Sequence, residues 1–594
     1  MILASLIGAS VLSASNQTWT NAAGGDWNTG ANWTSAIPAV GDNATLTTVA
    51  GNYTVTYSSP MAAASFGALA LNGTVGNTTT MNITASGFNS SGSSAALSVG
   101  GNATLNVNAG GVALFSGPNL LVAPNITGAL NINGGSVTFQ GTQYGLGISG
   151  GGQITVNSGT LSASAVAGGG GVNAGIRVVG GGSFLINGGT VSFLNSGMIG
   201  YFNQGSGTLT MTAGALNIGA TVPNDFTIGN LNASGNATVS GGAVTNYGTL
   251  TIASDAYAAT GVLNLSGGSW VQQNGNAVYI GSIRGNGSIN VTGTGQFTTT
   301  GNTTLGNWDG ISAFDTASGT LLINGGSYTG ANLTVRRGSL NLQSGNLTVN
   351  ALVATNGSNG TVSFSGGTLD TKATTIANGS VFTVGNGTAV AAMKLDGGSH
   401  SFANGITLSN NATLSGNGTI TLGTLVVSSG ARISPGNTGP GVLGTAAQTW
   451  LGGGSYVWKM NDATGIQGTN WDFLNGSGTL DVSTLSPSSK FIIDLVGLAV
   501  GNVSGPVPNW NKNVDQTWKI GTFASITGTF NAADFNVDAS GFTNNNPLIA
   551  GGVFSISNVG NDIFLSYTTP EPATWILLAV GLTTAIVFRR RRST

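Results

Sequence analysis

The chain has 594 residues, 100 of them Gly, with 40% apolar residues, 5% charged residues and a formal charge of −2. Globular enzymes carry roughly 25% charged residues, and disordered chains combine low hydrophobicity with high net charge, so neither class fits. No Cys is present and His400 is the single His, which excludes disulfides, thiolate metal sites and His-pair metal motifs.

The acidic residues are all Asp except Glu571. Scarcity of Glu, a good helix former, agrees with a body that holds little helix. Without the residues from Glu571 onward, 11 basic residues (15 less four Arg) face 16 acidic ones (17 less Glu571). A mildly acidic body gives no electrostatic footprint for nucleic acid.

In chain order, residues 1–15 read as a secretory signal peptide: an apolar run from Ile2 to Leu12, then Ser13, Ala14 and Ser15. Its basic n-region is absent, which reads as a start placed too far downstream; a buried first strand is the alternative. Residues 16–99 read as a Trp-rich N-terminal β cap, with Trp19, Trp27 and Trp33 beside Pro38, Gly41 and Asp42. Large aromatics can cover the open end of a stacked β structure. The same cluster alternatively offers a carbohydrate-stacking platform.

From 100 to 444 one pattern recurs: an alternating apolar segment, a small-residue pair, and a second alternating segment, as in "LNINGGSVTF", "FLINGGTVSF" and "LLINGGSYTG". The pairs fall at Gly134/Gly135, Gly188/Gly189, Gly241/Gly242, Gly267/Gly268, Gly325/Gly326, Gly366/Gly367 and Gly397/Gly398. A mean spacing of about 25 residues lies in the range that marks repeat architectures. Alternation puts Leu, Ile, Val and Phe on one face and Asn, Thr and Ser on the other, and stacking buries the apolar face while pairing the backbone groups. The expected fold class is therefore all-β: a parallel β-helix, or β-solenoid, of either hand, with a C-terminal β cap domain and a single C-terminal transmembrane helix. A string of β-sandwiches or a propeller is the competing architecture. Inward positions such as Ile132 and Phe193 form the expected core.

Residues 445–569 break the repeat, carry more Trp, Lys and Asp, and read as a separate C-terminal β domain. Glycoside hydrolysis needs paired carboxylates, but the Asp residues are scattered, and no GxSxG, HExxH or Ca²⁺-loop motif occurs. Asp309 and Asp472 sit in turn-like "NWD" segments, and His400 reads as an outward or end-of-strand residue. No catalytic residue, metal site or cofactor is therefore assigned, and the chain reads as a non-enzyme; a polysaccharide-active lyase or hydrolase on a β-helix is the alternative. Asn-x-Ser/Thr triplets at Asn32, Asn43, Asn72, Asn82, Asn102, Asn125, Asn236 and Asn411 read as members of outward polar ladders rather than glycan acceptors.

The stretch "LSGNGTITLGTLVVSSGARISPGNTGPGVLG", with its Pro435-Gly436-Asn437 turn, resembles the closing coil of autotransporter-associated β-strand repeat proteins. Residues 570–594 resemble a PEP-CTERM sorting signal: Pro570, Glu571 and Pro572, an apolar run from Ala573 to Phe588, then Arg589, Arg590, Arg591 and Arg592. The prolines hold the backbone around Glu571 extended. The apolar run would reach about 24 Å as a helix, short of a ~30 Å hydrocarbon core, a gap that snorkelling Arg side chains can close. The Arg cluster is a membrane stop that stays cytoplasmic. A plain tail anchor is the bland alternative.

The resemblance implies an exosortase-type processing enzyme as partner, with this chain as its substrate. It also implies a precursor at the inner membrane with a periplasmic body and a mature form at the cell surface or outside the cell. Extracellular polysaccharide is a further partner it implies, within a structural or adhesive role in biofilm.

Overall fold

In this computed structural model, residues 14–570 are described except 48, 62–64, 93–95, 118–119, 123–127, 142–145, 166–173, 201–204, 222, 224, 255–257 and 308–315. They fall into two compact units, 1–363 and 364–594.

In the first unit the chain winds through three parallel ladders, each strand pairing with its counterpart one winding later. One ladder runs through Gly182–Ile186, Gly207–Met211, Ser234–Val239, Thr260–Leu265 and Asn286–Thr292. A second runs through Thr190–Phe193, Ala215–Ile218, Ala243–Asn246, Ser269–Gln272 and Gln296–Thr299. The third includes Phe226–Asn230, Leu250–Ser254, Val278–Ser282 and Thr303–Asn307. Period-two alternation decides which side chains enter. Leu130, Ile154, Phe184, Leu209, Ala237, Leu263, Ile289 and Leu321 stand in register in one inward column, all buried. Aromatic columns run beside it, with Trp270, Phe297 and Tyr328 stacked at 6.5 and 5.1 Å.

Outward Asn side chains form hydrogen-bonded ladders. Asn133 donates Nδ2 to Asn108 Oδ1 at 3.1 Å, Asn157 to Asn133 at 2.9 Å and Asn187 to Asn157 at 3.0 Å. Asn82 and Asn236 of the acceptor-like triplets belong to such ladders, receiving Asn106 and Asn264. Asn32 is buried and donates to Asp26 O.

The Gly pairs form a corner between the first two ladders. Gly242 has φ +79°, and a Cβ there would stand 2.6 Å from Gly214 O of the previous winding. Only Gly meets both demands, the left-handed backbone and the close approach.

The expected fold class does not stand. The chain is all-β, but Gln153–Ala165 and Ser318–Val335 each bend through the Gly corner and pair in both the first and second ladders. Through these two bent strands the ladders close into a ring of twelve parallel strands, where a β-helix was expected as a stack of separate coils.

In the second unit the parallel pairing continues past 445. Its parallel pairing runs from Gly367–Ile376 through Ala391–Leu395, Ala412–Gly416, Arg432–Pro435, Ser455–Met460 and Phe491–Gly497 to Phe535–Asp538. The hairpin Val553–Val559/Asp562–Thr568 is antiparallel and adds, also antiparallel, to Gln516–Thr522. Finally, no helix among the described residues is long and apolar enough to cross a membrane; the one α-helix there is Ser540–Thr543. The apolar run 573–588 lies outside the described residues.

Candidate functional site

The N-terminal Trp cluster forms the beginning of the apolar interior. Trp19 and Trp27 are fully buried and Trp33 nearly so. Their rings meet edge-on at 5.2 and 4.7 Å, and Trp27 continues to Phe66 and Phe88. Indole faces packed in this way cannot receive a sugar, so the stacking-platform reading is set aside and the aromatics serve as packing.

The titratable residues singled out by sequence are structural ties. Asp472 is fully buried and accepts from Gly441 N at 2.8 Å, Lys459 N at 3.0 Å and Lys459 Nζ at 2.9 Å. Burial pushes its carboxyl up to about 7, against the lowering effect of the Lys459 ammonium and the backbone donors. Lys459 Nζ also donates to Ser434 Oγ and Pro435 O, at 2.7 and 2.5 Å, so the pair fastens the Pro435-Gly436-Asn437 turn to the next winding. With its oxygens engaged and no path to solvent, Asp472 is poorly placed for general acid-base work.

His400 faces inward rather than outward, fully buried. Its Nε2 lies 2.9 Å from Gly397 O, which requires a donor, and its Nδ1 lies 3.1 Å from Thr374 Oγ1. This puts a proton on Nε2, and burial, which holds the pKa below the usual His value, favours the neutral ring. Asp309 lies outside the described residues. Among the described residues no group of three His, Cys, Asp or Glu side chains is arranged to hold a metal.

A cleft of about 500 Å³ opens in the second unit, lined among others by Trp471, Trp518, Asn509, Asn511, Gln516 and Thr517. Two insertions between strands, 461–472 and 498–515, supply most of its wall. Trp471 is only partly buried and donates Nε1 to Lys519 O at 3.2 Å, whereas Trp518 is 2% exposed.

The C-terminal end of the folded body is fixed one residue before the predicted tripeptide. Asp515 Oδ1 accepts from Thr569 N and Thr569 Oγ1, both at 2.7 Å. These bonds lower the Asp515 pKa and pin the chain just past the last strand, Asp562–Thr568. Pro570 follows, exposed. Residues 568–592 match the PEP-CTERM protein-sorting motif.

The match covers the predicted tripeptide, the apolar run and the four Arg, and it indicates a chain exported toward the cell surface and sorted by an exosortase. Glu571, Pro572, the run 573–588 and Arg589, Arg590, Arg591 and Arg592 lie outside the described residues. Comparison with curated proteins gives no match. Sequence reasoning missed the Asp515 clamp and the Trp471 cleft. Asp515 and Thr569 are separated by 54 residues, and no local pattern in the chain signals their meeting.

Proposed function

We propose that this is a structural or adhesive protein of the cell surface or extracellular matrix, a substrate of an exosortase-type enzyme rather than an enzyme itself. Its precursor waits at the inner membrane with a periplasmic body, and its mature form associates with extracellular polysaccharide in a biofilm. The observation that carries the reading is the sorting motif at 568–592, beginning where the Asp515 clamp ends the folded body. The body supports it: polar Asn ladders outside, an apolar interior, and an Asp472 carboxylate spent on structure. The likeness of 414–444 to autotransporter-associated strand repeats belongs to the same proposal.

The test replaces Pro570, Glu571 and Pro572 by Ala in a host that carries the processing enzyme. The full-length chain, with Arg589 to Arg592 still attached, then accumulates in the inner-membrane fraction, while the wild type loses its tail. Equal processing of both chains would refute the proposal.

A further inference from the structure

We infer that the cleft around Trp471 is a binding site for a neutral saccharide. The inference gives the adhesive part of the proposed function its site and rests on that reading only for where the ligand is met.

The lining carries the argument. None of the side chains that line the cleft is ionisable, and the charge held behind its wall, the Asp462 carboxylate bonded to Asn509, is negative, which disfavours phosphate, uronate or an acidic peptide, each of which needs a compensating positive charge when desolvated. What the wall offers instead is amide and hydroxyl groups, from Asn509, Asn511, Gln516, Thr464 and Thr517, beside a partly exposed indole at Trp471. Amides present donors and acceptors together, the complement of a ring bearing many hydroxyls. An indole face with its negative quadrupole receives polarised C–H groups, the complement of the apolar face of a sugar ring. A volume of about 500 Å³ lies within the ~300–1,000 Å³ of small-molecule sites.

Gln516 adds an independent observation. Its Nε2 donates to Asn511 O at 2.9 Å, which orients the amide, yet its Oε1 is buried with no hydrogen-bond partner in the protein. An acceptor left this way costs free energy, and a ligand hydroxyl relieves that cost once the Gln516 amide turns toward the cleft it lines. The surrounding wall is already fixed: Asn509 Nδ2 bonds both oxygens of Asp462 at 3.0 Å, and Trp518 Nε1 donates to Ala463 O at 2.9 Å. Little ordering is then left to be done on binding.

The experiment is affinity electrophoresis of the full chain in mild detergent, through gels containing dextran, glucomannan or galactan, with a polyuronate gel as the charged control. Wild type is retarded in at least one neutral gel more than in the polyuronate. Trp471→Ala weakens that retardation at least tenfold, and Trp471→Tyr restores most of it. Val514→Trp, at a cleft residue 51% exposed, blocks binding with no change in thermal unfolding, which separates loss of the site from loss of the fold. Retardation that survives both Trp471→Ala and Val514→Trp would overturn the cleft while leaving matrix association standing. No retardation in any neutral gel would overturn the inference and the polysaccharide part of the proposed function, leaving tail processing untouched. Retention in the polyuronate gel alone would show a charged ligand and sink the neutral-saccharide assignment.

Discussion

The windings within 130–321 and those within 456–537 use the same parallel pairing but accept very different chain lengths. In the first region, register partners are separated by 24 residues (Leu130 to Ile154) to 32 (Ile289 to Leu321). In the second, Tyr456 to Ile493 takes 37 residues and Ile493 to Val537 takes 44. Register is held by which side chains face inward, because a slip of one residue turns every apolar side chain outward. Loop length enters only weakly, through closure entropy. Insertions therefore accumulate without breaking the ladder, and in the second region they make the Trp471 cleft and the Asp472–Lys459 tie. The even region has structure and little chemistry; the uneven region has both.

The even region should be the most sensitive to a single buried charge. Ile132→Asp or Phe193→Asp places a carboxylate at a fully buried position with no built partner, and should cost several kcal/mol, at least ~3. Circular dichroism should show a large fall in unfolding temperature. An unchanged melt would mean that these side chains do not face inward.

In the uneven region, Asp472→Ala removes the counter-ion of the buried Lys459 ammonium, which keeps only its bonds to Ser434 and Pro435, an expected loss of about 3–5 kcal/mol. Asp370→Ala, which breaks the partly exposed 2.8 Å pair with Lys394, should cost no more than about 1 kcal/mol. Chemical denaturation of both variants checks the contrast, and equal losses would deny Asp472 its role as a tie.

Glycine substitutions sharpen the same contrast at a smaller scale. Gly242→Ala combines φ +79° with a Cβ 2.6 Å from Gly214 O, and should cost more than ~2 kcal/mol. Gly387→Ala, at φ +83° with nothing within 4 Å, should cost about 1–2 kcal/mol from backbone strain alone. A reversed order in thermal melts would mean that the Gly corner is not closely stacked.

The pH dependence is the mildest probe, and two buried groups of the second unit act in opposite senses. The folded pKa of Asp472, about 7, lies above the unfolded value of ~3.9. Its contribution is thus fully present below about pH 4 and lost as pH rises through 7. His400 has a folded pKa depressed by burial, so its contribution is present above the unfolded pKa of ~6.5 and lost as pH falls through the folded one. In melts from pH 4 to 8, Asp472→Asn should remove the loss on the alkaline side, and His400→Gln the loss on the acidic side. The opposite assignment of the two limbs would contradict the burial of these groups.

What the sequence made legible follows the same division. Period-two alternation around Gly134/Gly135 and Gly188/Gly189 showed the all-β class and the inward residues, because alternation and left-handed Gly are local properties. The twelve-strand closure was not legible, since nothing local says that 153–165 and 318–335 continue as single strands through their corners. Nor was the continuity of the ladder beyond 445, because insertions erase the even spacing while Phe491–Gly497 still pairs with Phe535–Asp538. His400, read as an outward or end-of-strand residue, stands inside because Gly397 O and Thr374 Oγ1 satisfy it there. The sorting tail was legible because its signal is linear, a tripeptide, an apolar run and a basic cluster in fixed order.

Under the proposed function, the tail from 570 onward is a processing signal rather than part of the mature protein. Intact-mass and C-terminal peptide mass spectrometry of the mature protein, from cells that carry an exosortase-type enzyme, tests it directly. The mature chain should end close to Pro570-Glu571-Pro572 and lack Arg589 to Arg592; a mature protein that still carries those four arginines would refute a processing role for the tail.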